Sequence, residues 1–232
     1  MYSSLRNSIL SLNLVPGTMV SENDISARFN VSRTPVREAF IALSKEALIK
    51  VIPQKGSMVS RIDFTRVEQE LFLRENLEPS ALKQFIKSYD PSHLSELEKY
   101  IELQGEAVST KEYERFLQYD NLFHKVFFNN QKVAWEAIDN MCGHYYRFRL
   151  LTIWFQERVK DVVKEHKLLF QAIKQKDTTK ALVLLKSHIH KINKEEPIVK
   201  RLFPDYFADS SEKEPFNVDF GGLNLTSLVK KI

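Results

Sequence analysis

Cysteine occurs once in these 232 residues, as Cys142, so no internal disulfide can form and nothing calls for an oxidising compartment. No stretch approaches the ~18 consecutive apolar residues of a membrane span. The first fourteen residues also lack the apolar run and small-residue cleavage site of an export signal. A cytoplasmic chain without a membrane segment is the expectation. Glycine is scarce, at six residues, which argues for helix over turn-rich β architecture. A large charge excess is lacking too: 34 basic and 30 acidic side chains leave +4.

That small excess is unevenly placed. Residues 1–62 hold eight basic side chains against four acidic ones, which leaves 26 of each sign in the rest. A positive excess confined to one short segment suits a phosphate-binding module, because neutralised phosphates release counterions. A length of 232 suits two domains.

Within the basic segment, Leu5, Ile9 and Leu12 share one helical face, ended by Pro16-Gly17. Ser21 is an N-cap for a second helix over 22–29, with Glu22 and Asp24 near its positive end. Ser32 caps a third helix to about Glu46, whose Val36, Ala39, Phe40 and Leu43 form the buried stripe. Arg33, Thr34 and Arg37 fall on its other side, in the first turn and a half, where a recognition helix meets base edges. Arginine can bond guanine O6 and N7 together, while Ser32 and Thr34 at a helix start suit phosphate oxygens. An alternating β-branched run, Leu48 to Ile52, then Pro53-Gln54-Lys55-Gly56, then Ser57 to Ile62 predict a two-stranded wing with Lys55 and Gly56 at its tip. Any one of these arginines could be a solvated surface charge; the ordered set is harder to produce by chance.

In VSRTPVREAF followed by the P-x-x-G wing, the segment resembles the DNA-binding domain of the GntR family of bacterial regulators. The resemblance covers nearly all of residues 1–62. It implies that Arg33, Thr34, Arg37 and Gly56 contact operator DNA. Asn23 stands where relatives often carry arginine, and Ala47 where glycine usually precedes the first wing strand.

From Phe64 the apolar spacing is helical, with breaks that predict six helices over roughly 64–88, 91–108, 111–129, 132–156, 160–175 and 178–194. Pro79 should bend the first of them. The fold class expected is therefore mostly α. A winged helix-turn-helix of three helices and a two-stranded wing (1–62) precedes an all-α antiparallel bundle (63–194) and a C-terminal extension (195–232). That extension carries Phe203, Tyr206, Phe207, Phe216 and Phe220, which could pack on the bundle or on a partner, while 210–214 reads as disordered.

Asp120 and His124, four apart, project from one helix face. His166 lies ten residues before Lys176 and His188 eleven after Asp177, so a helical hairpin brings them level, ~15 and ~16.5 Å from its turn. An Asp-His pair at this spacing is common on helices that bind nothing; the two level histidines are what single it out. Three imidazoles and a carboxylate suit Zn²⁺, or Ni²⁺ or Mn²⁺. His93, His144 and His190 lack such partners and read as surface or locally bonded residues.

RENLEPSAL, YDNLFHKVFF and EHKLLFQAIKQKDTTKALVLLKSHI resemble the signature segments of the FCD domain, the effector-binding half of one GntR subfamily. The resemblance implies Asp120, His124, His166 and His188 as metal ligands, and Arg74 as a partner for a carboxylate effector. Tyr145, Arg147 and Arg149 could line the same cavity, or be core and solvated face.

The expected function is a homodimeric, DNA-binding transcription repressor, controlled by a small carboxylate held at the metal. Two alternatives stand beside it. The metal could be purely structural or itself the signal, or the centre could activate water for hydrolysis. The last has little support, because no general base is evident beside the site.

Overall fold

The computed structural model describes residues 1–153, 156–191 and 196–208, which form two compact units. The first holds Met1–Val67, Gly143–Phe148 and the described residues from Ile198; the second holds Glu68–Cys142 and Arg149–Pro197. Among the described residues no helix is long and apolar enough to cross a membrane.

The first unit begins with α1 (Tyr2–Leu10), α2 (Glu22–Phe29) and α3 (Arg33–Lys45) around a shared core in which Leu5, Ile9, Ile25, Val36 and Leu43 are buried. Ser21 caps α2 as its sequence suggests, its Oγ accepting from the Asp24 N–H at 3.0 Å. Ser32 occupies the N-cap of α3 in extended backbone, but its hydroxyl makes no capping bond. Pro35 sits in the first turn, where its missing N–H deprives no intrahelical bond.

The wing strands are β2 (Ile49–Ile52) and β3 (Gly56–Val59), paired antiparallel from Ile49↔Val59 to Ile52↔Gly56. A third strand, β1 (Met19–Val20), adds to β3 through Met19↔Met58 and Val20↔Ser57. Two residues are too few to show an alternation, so β1 has no signature in the sequence. At the wing tip the Lys55 N–H returns to the Ile52 carbonyl at 3.1 Å, with Pro53 next and Gln54 at φ 64, the geometry of a type II turn.

Scarce glycine leaves its mark at the helix ends. After α3 the Ala47 N–H bonds the Ser44 carbonyl at 3.1 Å and the Leu48 N–H bonds the Leu43 carbonyl at 2.9 Å, a Schellman motif with Ala47 at φ 57. Asn30 fills the same left-handed position after α2, and Lys111 and Lys176 fill it after two helices of the second unit.

Two later segments complete the first unit. Gly143–Phe148, the beginning of α8 (Gly143–Thr152), abuts the start of the wing: a Cβ on Gly143 would lie 2.7 Å from Leu48 Cδ2. His144, read from sequence as a surface or locally bonded residue, is buried. Its Nε2–H donates to the Ala47 carbonyl at 3.0 Å and its Nδ1 accepts from the Asp63 N–H at 3.0 Å. From the extension come α11 (Glu196–Leu202) from Ile198 onward and a 3₁₀ turn, Pro204–Tyr206. The Ile62 N–H bonds the Tyr206 carbonyl at 2.8 Å, the Ala208 N–H bonds the Ile62 carbonyl at 3.0 Å, and Phe207 meets Phe148 edge-on. Phe203, Tyr206 and Phe207 are buried; Phe216, Phe220 and residues 210–214 lie outside the described residues.

The second unit contains most of α4 (Phe64–Ser88), with α5 (Pro91–Ser109), α6 (Tyr113–Val126), α7 (Lys132–Met141), the end of α8, α9 (Gln156–Lys174) and α10 (Thr178–His190). α5 packs on α6 and α9, and α9 on α10. The single helix expected over 132–156 is two, because Cys142 leaves helical geometry at φ −95, ψ 33, beside a glycine of low helix propensity. α4 continues through Pro79. At the start of α5 the Asp90 carboxylate accepts from the Ser92 N–H, and His93 Nδ1 accepts from the Asp90 N–H. His93 is thereby a capping residue.

Candidate functional site

α6, α9 and α10 converge on Asp120, His124, His166 and His188, whose ligand atoms all lie within 4.8 Å of one another. The first three are fully buried, and the His188 side chain is 9% exposed. Each imidazole is held from behind. His124 Nδ1 is 2.7 Å from Glu78 Oε2, His166 Nδ1 2.7 Å from Gln104 Oε1, and His188 Nδ1 2.7 Å from Glu165 Oε2. All three partners are oxygen acceptors, so the Nδ1 atoms carry the protons and the Nε2 lone pairs face inward.

The inward atoms are short of donors. His166 Nε2 and His188 Nε2 face each other at 3.4 Å, a pair with no hydrogen to share when both rings are neutral. Burial holds the pKa values of His166 and His188 below the ordinary imidazole value, so both are neutral near pH 7. His124 Nε2 and Asp120 Oδ1 are buried with no hydrogen-bond partner among the described residues. Burial works to raise the Asp120 pKa, but Arg149, 2.7 Å from Oδ2, overcomes it and keeps the carboxylate ionised. Four inward-facing bases are an arrangement that a cation relieves. Two nitrogens at ~2.1 Å from one tetrahedral zinc ion lie ~3.4 Å apart, the separation of the His166 and His188 Nε2 atoms, so the wider spacings in the quartet, up to 4.8 Å, must close by about an ångström to hold a metal.

Further charges surround the quartet. Glu78 is buried between His124 and Arg74, to which it is ion-paired. Burial opposes its ionisation, yet Arg74 and His124 bring its pKa down to about 2. Glu165, on the far side of His188, pairs also with Lys191 and is likewise lowered to about 2 against the effect of burial. Glu78, Gln104 and Glu165 were not singled out from the sequence. Glu78 lies one turn beyond Arg74 and Glu165 precedes His166, but such spacings are too common to be a signal, and Gln104 offers none.

Of the residues read as possible effector contacts, Arg74 and Arg149 join this cluster through Glu78 and Asp120. Tyr145 and Arg147 belong to the first unit, where Arg147 Nη1 donates to the Ser60 carbonyl at 2.5 Å and Tyr145 lies beside the Tyr146 ring. His190 is on another side of α10, with Nδ1 2.8 Å from Glu75 Oε1.

In the first unit, Ser32, Arg33, Thr34 and Arg37 are exposed along the start of α3, and Lys55 and Gly56 are exposed at the wing tip. Arg37 is held by Glu22: Nε donates to Oε1 and Nη2 to Oε2, each at 3.0 Å.

Comparison with known proteins agrees with both halves. The family profile described as "Bacterial regulatory proteins, gntR family" matches residues 1–59, and that of the FCD domain matches residues 70–191. The HTH-type transcriptional repressor RspR of Escherichia coli is 29% identical over 210 residues, covering 90% of this chain and 92% of that protein. An HTH-type transcriptional regulator in an unstable DNA locus of Streptomyces ambofaciens is 32% identical over 216 residues, 92% and 91% of the two chains. The solved structure of E. coli McbR/YncC shares the fold with a TM-score of 0.74 at 19% identity, over 87% of this chain and 96% of that one. These are transcription regulators rather than enzymes. The chain belongs to the GntR family of DNA-binding transcription regulators, with an FCD domain as its second half.

Proposed function

We propose that this regulator is a cytoplasmic homodimeric repressor whose operator affinity is set by a small carboxylate, bound to a divalent metal at Asp120, His124, His166 and His188. The observation that carries the metal assignment is the facing pair of Nε2 atoms, with each imidazole proton committed to an outer acceptor. Such outer acceptors fix the tautomer a metal requires. On the DNA side, Arg33 and Arg37 read bases, Ser32 and Thr34 take phosphate at the start of α3, and Lys55 and Gly56 approach the duplex from the wing.

Charge supports an anionic effector. Asp120, Glu78 and Glu165 are matched by Arg74, Arg149 and Lys191, so a divalent ion adds two positive charges to an otherwise balanced group. A hydroxy acid or dicarboxylate restores the balance while chelating the ion. Arg74 and Arg149 are the cations beside it, whereas Tyr145 and Arg147 have no part in this reading.

One observation favours a second reading. Four protein ligands complete a tetrahedral zinc ion and leave no place for an effector, so zinc would be structural or itself the signal. A six-coordinate ion such as Ni²⁺ or Mn²⁺ keeps two positions open.

The experiment is a thermal-shift screen of sugar acids, hydroxy acids and dicarboxylates on protein stripped by chelator and reloaded separately with Zn²⁺, Ni²⁺ or Mn²⁺. An effector at a hundred times its Kd adds about 2.7 kcal/mol, roughly 5–10 °C in a domain of this size. That shift should require metal, and the same compound should release a duplex selected from a random library. Metal-dependent DNA binding with no response to any carboxylate supports the structural or sensing reading instead.

A further inference from the structure

Glu22 is an acid on a face built to meet phosphates. It is the first residue of α2 and reaches across to Arg37 on α3 with both carboxylate oxygens. The Arg37 side chain is 66% exposed and that of Glu22 is 30% exposed, so the pair adds little to folding stability. An anion here also weakens general attraction to DNA. Its presence needs another reason.

The atoms supply one. A guanidinium group has two edges that offer a pair of parallel N–H groups: Nε with Nη2, and Nη1 with Nη2. Glu22 occupies the first edge only. The second remains intact, and no other partner of Arg37 is found among the described residues. A long side chain is thereby held in one plane before DNA arrives, rather than losing its rotamer freedom on docking. The bond to Arg37 also lowers the Glu22 pKa, so the carboxylate persists across the neutral range.

We propose that Glu22 is a positioning residue for sequence reading: it holds Arg37 by the Nε edge so that the Nη1–Nη2 edge meets O6 and N7 of a guanine. This rests on the reading of Arg37 as a base-contacting residue. A guanine held by an arginine without this support should be distinguished less sharply from other bases, while binding to arbitrary DNA should not suffer.

The test uses the full-length protein and a random 24-base-pair duplex library, with selected sequences compared among wild type, Glu22→Gln, Glu22→Asp and Arg37→Ala. The amide keeps the shape but faces one Arg37 N–H with its own donor. The aspartate keeps the charge but is one methylene short. Wild type should select a guanine at one position of each half-site, and Arg37→Ala should lose that choice. Both Glu22 variants should cut the preference for that guanine about tenfold, with unchanged melting temperature. Glu22→Gln should bind a duplex of unrelated sequence as well as wild type or better. In the duplex chosen by wild type, replacing that guanine with 7-deazaguanine should weaken wild type more than Glu22→Gln. Wild-type guanine preference in both Glu22 variants, alongside its loss in Arg37→Ala, overturns the inference. Retention of the preference in Arg37→Ala overturns the base-reading role of Arg37 itself.

Discussion

At Ala47 the resemblance to relatives and the backbone ask for the same residue, glycine, and the chain supplies alanine. Its φ of 57 places an L-residue in the left-handed region, where contact between Cβ and the carbonyl costs roughly 1–2 kcal/mol. Glycine avoids that cost but loses more freedom on folding, by roughly 0.5–1 kcal/mol. Ala47→Gly should therefore stabilise the protein by about 0.5 kcal/mol, read as a higher urea midpoint at unchanged slope. A lower midpoint would mean that the half-buried methyl contributes more through packing than the backbone loses in strain. The departure itself was visible in the sequence, because Ala47 stands at the end of the α3 pattern. The same scale divides the His/Asp quartet. Asp120 and His124 were legible from their one-turn spacing, and His166 and His188 from their equal distance to a helical turn. Glu78 and Gln104 come from α4 and α5, whose placement behind the histidines is set by tertiary packing that no local spacing encodes. Glu22 and Arg37, fifteen positions apart, were hidden in the same way.

Among elements, α8 departs furthest from what its sequence suggested. Periodicity ran unbroken through Cys142 because one deviant backbone position leaves the apolar spacing intact, although Gly143 was a usable warning. The beginning of α8 gives the first unit His144, whose ring bridges the Ala47 carbonyl and the Asp63 N–H. Burial, joined by nearby Arg147, holds its pKa well below the ordinary 6.5 even though the Ala47 bond works the other way. The folded protein therefore keeps this ring neutral at a pH where the unfolded chain protonates it. Stability contributed by His144 is fully present above pH ~6.5 and is lost as pH falls below it, by at most about 1.4 kcal/mol per unit, until the folded pKa is reached. His144→Gln should cost stability at pH 7, and the gap to wild type should narrow between pH 7 and pH 5. Urea titrations at those pH values measure this gap, and the other histidines cancel in the difference. A gap independent of pH would show that the ring is not held neutral.

For the molecule as a whole, charge and chemistry are divided between the two halves of the sequence. Positive excess lies in residues 1–62, whereas the quartet that could hold a metal lies within the second unit, on helices with their own packing. A ligand that binds only the folded state of one unit raises the free energy of opening that unit. Removing metal with a chelator should therefore speed amide hydrogen exchange in α6, α9 and α10, about a hundredfold for metal previously present at a hundred times its Kd. Exchange in α1, α2 and α3, whose core is built on Leu5, Ile9 and Leu43, should change much less. His188→Ala should show the accelerated pattern without chelator and respond little when metal is added, because one of four ligands is gone. Equal acceleration throughout the chain would mean that the two units open as one, and that the metal supports the DNA-binding half by global stability instead of by a local change at its ligands.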